Sequence, residues 1–316
     1  MMRIGTRGSD LALWQARFVQ ASLGGEATGV TLDIIRTRGD QLVDLPLQAQ
    51  LDKGFFTKEL EVALLDGRID LAVHSLKDLP TELPAGLVLA AVPTRADAGD
   101  VLFVHPSAFD PDAPLHLRSG ARVGTSSMRR TALLQHVAPQ AEAVLLRGNV
   151  PTRLRKCIDG ELDAVLLARA GVARLSLDFG HLHAYDLAPQ RWLPAAAQGA
   201  LGLQARVQDP LVVTRVALIH DAATAQAVAL ERGLLRRVEG GCHSAFGALA
   251  TVASGTATLR AGLTDAAGTW RAILVTGPVD SLVETAFSAL QTALAADGAT
   301  SATEAGPWIS PARPWR

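Results

Sequence analysis

Residues 4–9 read IGTRGS and residues 123–127 read VGTSS, and similar patterns follow both stretches. After the first stretch, Leu11, Trp14 and Phe18 recur three or four positions apart, which predicts a helix. The second stretch is also followed by a predicted helix, so both stretches predict a strand, a turn and a helix. Further matches follow in the same order: RGD at 38–40 with RGN at 147–149, and DGRIDLAV at 66–73 with DGELDAV at 159–165. The shared order predicts two α/β lobes of similar topology facing a common cleft, with ligands at the carboxyl ends of the strands.

The first lobe begins with a strand and a helix that Ser9 is placed to cap and that would end about Leu23. Residues 38–53 have no clear period and read as a long surface loop, a type that often forms a mobile lid. The other elements predicted in the two lobes are strands at 31–37, 71–75, 144–146 and 163–168 and helices at 55–65, 128–136 and 151–159.

A third unit of α+β character follows the lobes. A strand at 198–204 is expected to return to the first lobe, and strand signals recur between 246 and 276, flanked by helices at 222–238 and 280–295. The predicted domains are residues 1–94 with about 198–216, residues 98–193, and residues 218–296. Residues 297–316 are rich in small residues and are expected to form a loosely ordered tail.

Composition excludes several classes of protein. The formal net charge of the 316 residues is −1, which predicts no general affinity for nucleic acid or an anionic membrane. No apolar run has the length of a membrane-spanning helix, and the first residues lead directly into a strand pattern without a signal-peptide core. The two cysteines, Cys157 and Cys242, suggest no disulfide framework. A reducing cytoplasm is therefore the expected location. We also expect a monomer, although composition does not bear on the oligomeric state.

Basic and hydroxyl side chains cluster where predicted strands end and helices begin. Helix N-termini bind anions, and a guanidinium matches a carboxylate in shape. The set favours a cleft for a polyanionic ligand; the alternative is a solvated basic surface. Residue types do not separate phosphate from carboxylate ligands, although the absence of a Walker-type loop weakens a nucleotide interpretation. The residues are Arg7, Ser9, Ser126, Ser127, Arg129, Arg130, Arg147, Arg153, Arg155 and Arg174.

Lys77 and Asp78 follow the predicted strand at 71–75, at the mouth of the same cleft. A buried carboxylate at Asp78 could stabilise a developing cation or move a proton. The alternative is an ion pair with Lys77 or a cap on the next turn. His74 reads as a polar residue with a protein partner rather than a metal ligand, because no His, Cys and Glu residues have zinc spacing.

Cys242 lies in the stretch EGGCH at 239–243. Two glycines leave the sulfur uncrowded, and a flexible, exposed cysteine suits the attachment of a group better than it suits a core. The alternative is a Gly-Gly-Cys loop without a function.

Several motifs together resemble the porphobilinogen deaminase family, also called hydroxymethylbilane synthase. The resemblance extends to about Ala295, and the ordered set is far more specific than any one motif. The motifs are GTRGS (5–9), KGFFTKELE (53–61), HSLKDLPT (74–81), VGTSSMRR (123–130), RGN (147–149), TRL (152–154), QGA (198–200) and EGGC (239–242).

The resemblance implies two lobes similar to those of periplasmic binding proteins, with a third, smaller α+β domain. It implies that four porphobilinogen molecules lose ammonia and are joined into hydroxymethylbilane on a dipyrromethane cofactor, held by a thioether to Cys242. Asp78 would be the catalytic residue, and no metal is implied. Cofactor and substrate carboxylates would bind the arginines and serines named above other than Arg155, with Lys77 and Phe56 lining the site.

Some positions depart from the family pattern: Asp10, Ala197, Gln204 and residues 243–246. None of them is a residue with an implied role. Two other functions remain alternatives at this point. One is a two-lobed anion receptor without catalysis. The other is a thiol enzyme that uses Cys242 as its nucleophile, which would need a base; His243 is adjacent to it in sequence.

Overall fold

The computed structural model describes residues 1–36, 57–239, 245–296 and 307–310. These residues form two compact units. The first contains Met1–Ala96 and Gly199–Ala225, and the second contains Asp97–Gln198 and Gln226–Arg316. The loop predicted at 38–53 lies outside the described residues.

The strands are β1 (Met2–Thr6), β2 (Val30–Ile34), β3 (Leu71–Ser75), β4 (Leu87–Ala91), β5 (Asp100–Val104), β6 (Arg122–Thr125), β7 (Glu142–Leu145), β8 (Ala164–Ala168), β9 (His183–Asp186), β10 (Leu201–Arg206), β11 (Phe246–Ala253), β12 (Thr256–Thr264) and β13 (Trp270–Pro278). The helices are α1 (Asp10–Ser22), α2 (Lys58–Leu65), α3 (Met128–Val137), α4 (Val150–Ile158), α5 (Arg169–Arg174), α6 (Pro210–Ala217), α7 (Ala222–Glu239) and α8 (Val279–Ala295). Among the described residues no single helix is long and apolar enough to span a membrane, and only the bent pair Pro210–Ala217 with Ala222–Val238 has that length and composition when taken together.

The first unit is built on a five-stranded sheet with the order β2-β1-β3-β10-β4. Strand β1 runs parallel to β2 and β3, whereas β10 runs antiparallel to β3 and β4. The prediction that a later strand returns to the first lobe is therefore confirmed. Helix α1 covers the sheet, with Ala16 and Val19 fully buried against Ile4 and its neighbours.

The second unit contains a five-stranded sheet with the order β7-β6-β8-β5-β9. Here β6 is parallel to β7 and β8, and β5 is antiparallel to β8 and β9. Both sheets thus place one antiparallel strand fourth in the order, which confirms the prediction of two α/β lobes of similar topology.

The glycine shared by the two repeated stretches has the same packing role in each lobe. A Cβ on Gly124 would lie 2.6 Å from Leu162 Cδ1 and 2.7 Å from Leu146 Cδ2. A Cβ on Gly5 would collide with the side chain of Ile69. Only glycine lets β1 and β6 pack this closely against their neighbours.

The second unit also contains the antiparallel sheet β11-β12-β13. Helices α7 and α8 contribute apolar residues to the core on this sheet, including Leu234, Leu282 and Ala286. The prediction that the third, α+β domain consists of strands flanked by two helices is confirmed. Its boundary with the second lobe stays a prediction, because both belong to one compact unit.

Residues 307–310 lie in the expected tail, yet they pair with the chain that follows β9. Ile309 forms an antiparallel bridge with Leu187, and Ala188 N donates to Trp308 O at 2.9 Å. The Arg191 guanidinium lies 4.0 Å from the Trp308 ring centroid. These four residues are held by backbone hydrogen bonds and a cation–π contact, so they differ from the expected loose tail.

Ala197 adopts a left-handed conformation with φ of +61°, and its N–H donates to Glu231 Oε2 at 2.6 Å. A Cβ is strained in this region, so Ala197→Gly should raise the free energy of unfolding by up to about 1 kcal/mol. The measurement is denaturant unfolding of the purified protein. The control is Ala229→Gly on the exposed face of α7, which should lower that free energy by about 1 kcal/mol. A loss of stability in Ala197→Gly equal to that of the control would contradict the strain.

Candidate active site

In the first unit, β1, β2 and β3 are parallel, so their carboxyl ends lie at one edge of the sheet. Arg7 and Ser9 follow β1 at this edge, and Lys77 and Asp78 follow β3. Ser9 Oγ accepts a hydrogen bond from Ala12 N at 3.4 Å, which confirms the predicted cap of α1. The parallel sheet therefore brings both sets of predicted site residues to the same edge.

Asp78 ends a single 3-10 turn, Leu76–Asp78, and is exposed. Its carboxylate makes no hydrogen bond or ion pair with any residue in the described parts of the chain. The expectation of a buried carboxylate is wrong, because the turn projects from the end of β3. The structure equally shows neither the ion pair with Lys77 nor a cap on the next turn. The carboxylate is accessible to a ligand.

A buried polar chain lies in the sheet beneath this turn. His74 Nε2 is 3.0 Å from Gln204 Oε1, and Gln204 Nε2 donates to Glu61 Oε1 at 3.2 Å. Burial lowers the pKa of His74 to about 4, with the positive charge of Arg7 adding to the effect, so this imidazole is neutral at pH 7. Burial also raises the pKa of Glu61.

These contacts confirm that His74 has a protein partner. Within the described ranges, no group of three or more His, Cys, Asp or Glu side chains could hold a metal ion.

In the second unit, β6, β7 and β8 are parallel and end at one edge. Ser126 and Ser127 follow β6, and Ser127 Oγ caps α3 by accepting from Arg130 N at 3.4 Å. Arg147 follows β7, and Asn149 caps α4 by accepting from Thr152 N at 3.0 Å. Two helix N-termini, with their partial positive charge, therefore begin at this edge.

Arg153 links the two helix starts. Its Nε donates to Gly148 O at 2.6 Å, and its Nη1 donates to Ser126 Oγ at 3.1 Å. Arg174 ends α5, which follows β8. Burial lowers the pKa of Arg174 to about 10, so its guanidinium remains protonated at pH 7. Arg147 and Arg153 thus lie near the carboxyl ends of β7 and β6, whereas Arg174 lies at the far end of the helix that follows β8.

Arg129 and Arg130 share one buried counter-ion, Asp100, the first residue of β5. Asp100 is fully buried, and the two arginine side chains are 5% and 7% exposed. Arg129 Nη1 donates to Asp100 Oδ2 at 2.8 Å, whereas Arg130 binds the carboxylate through both Nε, at 3.2 Å, and Nη2, at 2.7 Å. Burial alone would raise the pKa of Asp100, but the two guanidinium charges outweigh it and hold that pKa far below its ordinary value.

The remaining groups of the two arginines are used differently. Arg129 Nη1 also donates to Leu193 O at 2.7 Å, and Arg130 Nη1 donates to Leu166 O at 2.9 Å. Arg129 Nε is buried and has no hydrogen-bond partner among the described residues. The sequence predicted the same role for both arginines, whereas the structure separates them.

Asp100 was not anticipated from the sequence, although a signal for it exists. It begins DVLFV, a strand whose residues are all buried, and a lone acid in such a run requires a buried partner. Two adjacent arginines at a helix start could have supplied that partner. Glu61 and Gln204 were not assigned roles either, since nothing local marks a contact between α2 and β10.

Cys242 and Phe56, two of the predicted site residues, lie outside the described residues. Cys157 is fully buried in the core on α4, and its Sγ is 3.8 Å from Phe103 O. Burial, aided by the charge of Asp163, raises the pKa of its thiol to about 12. Cys157 is therefore a packing residue that is protonated at neutral pH, as the sequence suggested.

Two family models match the chain. Residues 2–214 match "Porphobilinogen deaminase, dipyromethane cofactor binding domain", and residues 225–292 match "Porphobilinogen deaminase, C-terminal domain". The chain is 48% identical over 260 residues to the porphobilinogen deaminase of Syntrophotalea carbinolica, covering 82% of this chain and 81% of that protein. It is 42% identical over 302 residues to that of Geobacter metallireducens, covering 94% and 92%.

Solved structures similar to the chain include two periplasmic proteins. The Bordetella pertussis BvgS periplasmic VFT2 domain has a TM-score of 0.42 and 18% identity, covering 73% of this chain and 91% of that one. A periplasmic substrate-binding protein of an ABC transporter from Coxiella burnetii has a TM-score of 0.40 and 16% identity, covering 73% and 97%.

Proposed function

Because the chain belongs to the porphobilinogen deaminase family, we propose that it joins four porphobilinogen molecules, with loss of ammonia, into linear hydroxymethylbilane. The family match makes it a transferase of tetrapyrrole biosynthesis with a dipyrromethane cofactor. The specific substrate, the residues that act on it, a cytoplasmic location and a monomeric state are parts of the proposal.

The observation that carries the proposal is the unpartnered edge of Arg129. Its Nη1 is fixed by Asp100 and Leu193 O, while Nε is buried without a hydrogen-bond partner in the described residues. The Nε and Nη2 groups of a guanidinium form a fork that fits the two oxygens of a carboxylate. Each pyrrole ring of the dipyrromethane carries an acetate and a propionate, so the residues present fit this cofactor.

The other predicted residues supply further sites for carboxylates. Each porphobilinogen adds two negative charges to the product, and cations at the sheet edges would balance them. In the second unit these are Arg147, Arg153 and Arg174, with Ser126 and Ser127 at the starting turn of α3. In the first unit they are Arg7 and Lys77, with Ser9 at the start of α1. The family resemblance would add Phe56 as a residue that lines the site.

Asp78 would act on the reacting atoms. The C–N bond of porphobilinogen breaks with its electron pair leaving on ammonia, and the substrate fragment becomes cationic. A carboxylate beside the pyrrole N–H stabilises this cation, and such fixed charges are worth about 3 kcal/mol. A C–C bond then forms to the next pyrrole ring, whose ring carbon loses a proton that Asp78 can accept. The exposed carboxylate on its short turn is accessible for both steps.

Cys242 would hold the dipyrromethane through a thioether, which resists hydrolysis and lets the primer remain after each product is released. The two residues before it in the sequence are glycines, which carry no side chain that could crowd an attached ring.

The mass of the purified full-length protein tests this function. We expect a covalent addition of two pyrrole units, together with release of ammonia when porphobilinogen is supplied. An unmodified chain that turns over porphobilinogen would overturn the cofactor assignment. An unmodified chain that binds porphobilinogen without releasing ammonia would instead indicate an anion receptor.

A further inference from the structure

We propose that Asp100 is a positioning residue for this reaction, which together with Arg130 holds the Arg129 guanidinium so that its Nε and Nη2 edge is open to a cofactor carboxylate. The inference rests on the proposed function, because the carboxylate it invokes belongs to the dipyrromethane.

Asp100 is fixed from several directions. Besides the two arginines, it accepts from Trp192 Nε1 at 3.0 Å and from Gln198 Nε2 at 2.8 Å. Gln198 Nε2 is itself 2.8 Å from Ala98 O. A buried carboxylate with donors on both oxygens cannot rotate without losing several hydrogen bonds, so it is a rigid anchor.

The two arginines bind this anchor in different ways. Arg130 donates from both Nε and Nη2 to Asp100, and from Nη1 to Leu166 O. The two groups with which a guanidinium binds both oxygens of a carboxylate are therefore already occupied in Arg130. Arg129 touches Asp100 only through Nη1, which leaves the equivalent edge without a partner among the described residues. Arg130 therefore acts through Asp100, and this differs from the sequence-based assignment of both arginines to the cofactor.

Charge balance supports the same division. Two guanidiniums and one carboxylate leave one positive charge in a buried cluster, where an uncompensated charge is costly. A cofactor carboxylate bound to Nε and Nη2 of Arg129 would form an ion pair with that guanidinium, and the net charge of the cluster would then be zero. The cluster is thus built to gain stability when one more anion binds.

The experiment measures how apoprotein acquires its cofactor when it is incubated with porphobilinogen. The variants are Asp100→Asn and Trp192→Phe, and the control is Asp265→Asn. Asp265, in the turn that joins β12 to β13, pairs with Arg271 of β13 at 2.9 Å, with side chains 11% and 10% exposed. Adduct formation is followed by mass, and its half-saturating porphobilinogen concentration is determined per folded molecule.

In Asp100→Asn we expect that concentration to rise at least tenfold, and in Trp192→Phe about threefold, with the control unchanged. A residue that only stabilises the fold would reduce the amount of folded protein without changing this concentration. An unchanged value in folded Asp100→Asn overturns the proposal. If that variant does not fold, an unchanged value in Trp192→Phe overturns it. Failure of the proposed function would appear separately, as wild-type protein that acquires no adduct.

Discussion

Replacing Asp78 with Asn should leave the covalent adduct in place and lower the turnover of porphobilinogen by at least about a hundredfold. Asparagine has nearly the same shape but carries no charge, so it cannot stabilise a cationic substrate fragment or accept its proton. The side chain is exposed and has no partner among the described residues, so the substitution should not affect the fold. The measurements are the steady-state rate of ammonia release and the mass of the purified variant.

The control for Asp78→Asn is Asp66→Asn, an equally exposed carboxylate in the same unit, 3.6 Å from Arg68. It should retain wild-type turnover. Turnover close to wild type in Asp78→Asn would remove Asp78 from its assigned role, and another group would then have to balance the cation.

Replacing Cys242 with Ala should give a protein of the bare chain mass with no measurable turnover, because no primer can be attached. The control, Cys157→Ala, removes the other cysteine. That thiol is buried and its pKa is raised to about 12, so it cannot supply a thiolate at neutral pH. Cys157→Ala should keep the adduct and the turnover, and lose about 1 kcal/mol of stability through the cavity that it creates. An adduct that persists in Cys242→Ala would contradict the assigned attachment.

The parallel halves of both sheets could be predicted because their signals are local. A strand, a capped turn and an amphipathic helix each leave a pattern within about 15 residues, and β3 was predicted to the residue. Strands β4, β5 and β9 were not predicted. Their short apolar runs lack a distinctive period, and their partners are distant in sequence.

In the candidate site, too, local features could be predicted from the sequence and contacts between distant segments could not. The arginines and serines were found because they stand at helix starts, which are visible locally. The difference between Arg129 and Arg130 could not be predicted. It depends on which of the two side chains binds Asp100 through both Nε and Nη2, and Asp100 lies on β5, about 30 residues before the two arginines. The exposure of Asp78 was also missed, since it depends on how far a single turn projects beyond its sheet.

The position of β10 between β3 and β4 affects the order in which the two lobes can fold during synthesis. Strands β3 and β4 flank β10 in the first sheet, so both keep an unpaired edge until residues 201–206 have been synthesised. The strands of the second five-stranded sheet are contiguous in sequence, from Asp100 to Asp186, and can pair before that point. The N-terminal lobe is therefore completed after the lobe that follows it, which reverses the usual N-to-C order of co-translational folding. Until then, β3 and β4 of the nascent chain each present an unpaired strand edge.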